Sequence, residues 1–121
     1  MARPRSELGG AFPQPEWSPT AAQLQDAFFT LAHEFGHYLS WRADEEAWKL
    51  VHVANVRRQH LMNLGASFDG LSLEDRERIL AEEERAWSLG REHVPEELRH
   101  PYDAYAQEKL DGYRNALPLG H

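Results

Sequence analysis

Residues 33–37 read His-Glu-Phe-Gly-His, two imidazoles four positions apart within a segment whose pattern is helical. Four steps of about 100° bring a helix back to within about 40° of its starting direction, so both rings project from one side. Such a pair can grip one zinc ion from one side. Glu34 follows the first histidine directly, which lets its carboxylate reach a metal-bound water without ligating the metal itself. The chemistry suggested is metal-assisted hydrolysis, with His33 and His37 as ligands and Glu34 as the catalytic base.

The helix carrying the motif predicts how it sits. Ser18-Pro19 reads as an N-cap followed by proline at the first helical position, and a mostly apolar run continues to Phe35. Leu24, Phe28, Leu31, Phe35 and Leu39 form a stripe at helical spacing that is expected to face the core. His33, His37, Asp26 and Thr30 lie on the other side. That side is either a solvated face carrying two histidines or, since Phe29, Ala22, Gly36 and Trp41 flank it, the lining of a cleft. Asp26 and Thr30 share the histidine face and are candidates to orient an imidazole.

Catalytic zinc usually takes three protein ligands and leaves one position to water. With no cysteine in the chain, the third ligand must be His, Glu or Asp. Glu82-Glu83-Glu84 lies in a later helical segment. With Ile79 at the origin of a wheel of about 100° per residue, Glu83 falls near 40°, amid Leu80, Ala86, Trp87 and Gly90. Glu82 and Glu84 fall at the edges of this stripe or outside it. A carboxylate in the middle of a buried face is costly unless paired or bound to metal. Glu83 is therefore either the third ligand or the partner of Arg76 in a buried ion pair. Gly90 on the same stripe points to close packing on the motif helix.

His33-Glu34-x-x-His37 followed by Glu83-x-x-Ala86 on a later helix resembles the gluzincin branch of the zincin metallopeptidases, its small bacterial members most of all. The resemblance covers residues 33–90. It implies zinc held by the two histidines and Glu83, water polarised by Glu34, and a peptide or protein as substrate. It also implies a later Tyr or His that stabilises the oxyanion, for which Tyr102, Tyr105 and His93 are the candidates. Both tyrosines can equally be packing residues on the inner face of the last helix, and His93 a cation at a helix C-terminus. Zincins usually place a small β-sheet before the motif helix. The residues before His33 do not read as strands, so the form expected is a minimal one without a substrate-aligning sheet.

The elements that must position these residues read as all-α. An extended, irregular arm is expected over residues 1–17, which hold Pro4, Gly9, Gly10, Pro13 and Pro15. A single helical domain follows over 18–117, with 118–121 as a tail. After the motif helix, a second is expected from Asp44 to Leu64, with Ala47, Trp48, Val51, Ala54, Val56, Leu61 and Leu64 as apolar positions. Ser72 and Asp75 form a capping-box-like start for a third helix, Leu73 to Val94, which ends before Pro95. Pro101 opens a fourth, Tyr102 to Asn115. The loop from Ser67 to Leu71 is the one place for a short extended piece. Together these make a compact domain of about four helices.

Composition sets further bounds. At 121 residues, with 41% hydrophobic and 27% charged side chains, the chain suits one globular domain with a hydrophobic core. A net charge of −7 argues against nucleic acid as a partner. No apolar run approaches membrane-spanning length, and a cytoplasmic protein is expected. The main competing reading is a catalytically silent zincin-like module, in which zinc stabilises a cleft that binds a protein partner. An accidental motif in an ordinary helical protein is the third.

Overall fold

The computed structural model describes residues 19–119. Four helices follow one another: α1 (Ala21–Ala43), α2 (Glu45–Asn63), α3 (Leu73–Arg91) and α4 (Arg99–Ala116). Single 3₁₀ turns, Phe68–Gly70 and Glu96–Leu98, precede α3 and α4. No strand occurs among the described residues, so the domain is all-α as the pattern implied. The expected N-terminal arm lies outside the described residues. No helix of the described residues is long and apolar enough to cross a membrane.

The starts and stops follow from capping. α1 begins two residues later than Ser18-Pro19 suggested. Thr20 Oγ1 accepts from the Gln23 amide at 3.1 Å, and the Gln23 side chain accepts from the Thr20 amide at 2.8 Å. This capping box satisfies two donors at once, which outweighs the proline signal. Asp44 ends one helix and starts the next. Its amide donates to Ser40 O, and its carboxylate accepts from the Ala47 amide. Ser72 caps α3 through the Asp75 amide, as its sequence predicted. The loop suspected of extended structure is the 3₁₀ turn, with the Ser67 hydroxyl accepting from the Asp69 amide.

The packing of α1 overturns the expected core face. Leu24, Leu31 and Phe35 are exposed, and the buried residues are Phe29, Ala32, Gly36 and Ser40. The reason is the distance at which α1 and α3 cross. A Cβ on Gly36 would lie 1.9 Å from Ala86 O, and one on Gly90 would lie 2.3 Å from Ala32 O. Ala32 meets Gly90 and Gly36 meets Ala86, so the helices run antiparallel with small residues at both ends of the crossing. A leucine stripe would hold them too far apart. On α2, similarly, Val51 and Ala54 face inward while Val56 and Leu64 are exposed.

Two clusters complete the core. Phe29, Trp87, Tyr102, Ala106 and Leu110 join α1, α3 and α4. Ala54, Leu71, Ile79, Leu80 and Leu117 join α2, α3 and the C-terminal turn. The Arg76 guanidinium donates to Leu71 O and Pro118 O, which pins the chain end against the start of α3.

Adding a methyl group at the crossing should cost more than helix propensity returns. Gly36→Ala is expected to lose about 2 kcal/mol or more in urea unfolding, since overpacking against backbone outweighs the about 1 kcal/mol gained in propensity. Gly112, where a Cβ meets nothing within 4 Å, is the control. Gly112→Ala should be neutral or stabilise by up to about 1 kcal/mol.

Candidate metal centre

The crossing of α1 and α3 brings the motif histidines onto the α3 carboxylates. His33 and His37 sit one turn apart on α1, ring centroids 4.5 Å from each other. Both Nε2 atoms meet Glu83: His33 Nε2 lies 2.9 Å from Oε1, and His37 Nε2 lies 3.1 Å from Oε2. One nitrogen from each ring and one Glu83 oxygen lie within 4.8 Å of one another, an arrangement that can hold a metal ion. The Glu83 side chain is only 9% exposed and that of His33 12%. Arg76 is spent on backbone carbonyls, so the pairing of Glu83 with that arginine does not occur.

The other nitrogen of His37 is also held. Nδ1 lies 2.8 Å from Glu82 Oε2, and Glu82 Oε1 accepts from Ser40 Oγ at 2.7 Å. A carboxylate behind the ring fixes the tautomer that presents Nε2 to the centre. Sequence reasoning assigned this role to Asp26 or Thr30. Instead Asp26 is exposed, and Thr30 Oγ1 pairs with the Tyr105 hydroxyl at 3.2 Å. The ring of His33 is held by stacking, 4.2 Å from Trp87 and 14° from parallel.

Beside this cluster opens a cavity of about 320 Å³, lined by His33, Glu34, Glu83 and Trp87 together with Thr30, Tyr105, Lys109 and Tyr113. Glu34 stands at its rim with a side chain 63% exposed and Oε1 3.4 Å from His33 Nδ1. Of the oxyanion candidates, only Tyr105 reaches this space. Tyr102 is buried, and its hydroxyl donates to Trp87 O at 2.6 Å, so it packs the core. Burial pushes that phenol up to about 12. His93 sits edge-on to Phe35 rather than at the cavity. Trp41 packs near Tyr38 on the outer face of α1 and does not wall the cavity. A larger hollow of about 480 Å³ near Leu117 gathers no comparable set of ligating groups.

Lys109, Tyr113, Ser40 and Glu82 were missed from sequence. Ser40 and Glu82 had a weak signal: Ser40 follows His37 by three residues on the same helix face, and Glu82 borders the Glu83 stripe. No family model, curated protein or solved structure matches the chain.

The electrostatics of the cluster are those of mutual neutralisation. For Glu83 the largest single effect is burial, which opposes its charge, yet the hydrogen bonds from His33 and His37 win and hold it at about 2. Burial likewise opposes the charge on His37, but Glu82 and Glu83 together raise it to about 9. With a chelator present, the histidine contribution to stability is complete below about pH 6.5 and lost as pH rises through 9. The Glu83 contribution is complete above about pH 4.5 and lost as pH falls towards 2. The chelator-treated protein should therefore lose thermal stability between pH 6.5 and 9. Melting curves of His37→Gln in the same buffers should lack that fall.

Proposed function

We propose that this chain is a zinc-dependent peptidase that hydrolyses a peptide or protein substrate. The observation that carries the reading is the convergence of both histidine Nε2 atoms on the Glu83 carboxylate, with Glu34 on the rim of the adjoining cavity.

The residues fit the ion. Two imidazole nitrogens and one carboxylate make a usual donor set for catalytic zinc, and three protein ligands leave a position for water. Around an ion with bonds of about 2.0–2.2 Å, neighbouring donors stand about 3.3–3.5 Å apart. The donor pairs at 2.9 and 3.1 Å need to part by only a few tenths of an ångström. Such binding displaces the proton that His37 shares with Glu83. When bound, zinc polarises the scissile carbonyl and lowers the pKa of water towards neutrality.

The rest of the chemistry belongs to the chain. Glu34 takes the proton of the attacking water and passes it to the leaving amine, acting as base and then acid. Its exposed side chain is free to swing between those positions. The Tyr105 hydroxyl, across the same cavity, donates to the oxyanion that forms on the substrate carbonyl. Glu82 and Ser40 keep His37 oriented. A cysteine-free, acidic chain suits the cytoplasm as the compartment.

One observation favours a silent, partner-binding module instead: among the described residues there is no strand whose edge would align an extended peptide. Glu34→Gln separates the two. For a peptidase, turnover of a mixed peptide substrate should fall by about 10²–10⁴-fold with zinc content unchanged. Wild-type activity that survives the substitution contradicts the role of Glu34, and a zinc-loaded wild type without turnover favours the silent module.

A further inference from the structure

The outer face of α1 carries a second function. Leu24, Phe28, Leu31, Phe35, Tyr38 and Trp41 are each between 37% and 66% exposed on this one helix. Leu24, Leu31 and Tyr38 repeat every seven residues, and Phe28 and Phe35 fall between them at the spacing of a coiled-coil seam. The rings run together, Phe35 stacked on Tyr38 and Tyr38 tilted against Trp41. At about 150–250 Å² for a whole aromatic side chain, these exposures leave on the order of 500 Å² of apolar surface on one helix face. A patch of that size marks an interaction site rather than scattered surface residues.

We propose that this face pairs with a second copy of the chain, α1 against α1 in antiparallel array about a two-fold axis at Leu31. The spacing itself is two-fold symmetric, which covering by an unrelated protein does not require. With Leu31 on the axis, Phe28 of one copy meets the partner's Phe35, and Leu24 meets the partner's Tyr38. Trp41, the largest side chain, comes opposite the partner's Ala21 and Ala22, where there is room for it. Two such faces bury about 1,000 Å², the threshold for a specific interface. Glu34, at the edge of the stripe, comes opposite the partner's Ala27, a small residue that leaves its carboxylate open to water. His33, His37 and Glu83 lie on the far side of α1 and stay clear of the contact.

Sedimentation equilibrium of the full chain tests the pairing. Wild type at tens of micromolar is expected at twice the 14.0 kDa chain mass, and Leu31→Glu at the single mass with unchanged helical circular dichroism. Because the chain has no cysteine, Leu31→Cys supplies a second readout that does not depend on the charged variant folding. Mild oxidation should link its copies covalently at least tenfold faster than those of Leu50→Cys, an equally accessible control on α2. A wild type that stays at the single mass up to 100 micromolar overturns the proposal. So does a dimer that survives Leu31→Glu or in which Leu31→Cys links no faster than the control.

Discussion

The distance between α1 and α3 is the constraint on which the rest of the molecule depends. Gly36 and Gly90 let each helix approach the other's backbone so closely that a single added methyl group at either position would meet a carbonyl oxygen. That approach sets the reach of every side chain across the gap. Glu83 spans both imidazoles with one oxygen each, and Glu82 reaches His37 and Ser40 in the same way. Hydrogen bonds weaken steeply beyond about 3.2 Å, so an extra ångström between the helices would undo all four contacts together.

Burying two carboxylates and two imidazoles between helices is unfavourable unless each is matched. The molecule matches them against one another, which is why Glu83 is held low and His37 high. The same arrangement serves a cation in place of the shared protons. Glu82 and Ser40 fix one ring and Trp87 supports the other, so the ligands are aligned by the fold before any ion binds. Glu34 stands outside this matched set, exposed at the cavity rim, as a proton carrier must.

Much of this was legible in the sequence, because local rules govern it. The helices and their order follow from apolar runs and punctuation by Asp44, Ser72 and Pro95, and Glu83 stood out as a carboxylate at the centre of an apolar stripe. The facing of α1 was not legible. A helical wheel ranks faces by hydrophobicity, whereas here a close crossing selected Ala32, Gly36 and Ser40 and left the leucines outside. The role of Glu82 was hidden for the same reason, since its partner lies on another helix 45 residues away. Tyr102 and Tyr105, three residues apart on one helix, could be separated only by packing: one donates inward to a backbone carbonyl, and the other borders the cavity.

Zinc stoichiometry by elemental analysis, on wild type and on Glu83→Ala after reconstitution, tests the central claim most directly. The structure and its chemistry predict close to one zinc per chain in wild type and a lost or strongly weakened ion in the variant. A wild type that retains no zinc after reconstitution would contradict the metal centre and leave the His33–Glu83–His37 cluster as a buried hydrogen-bond network that holds two helices together.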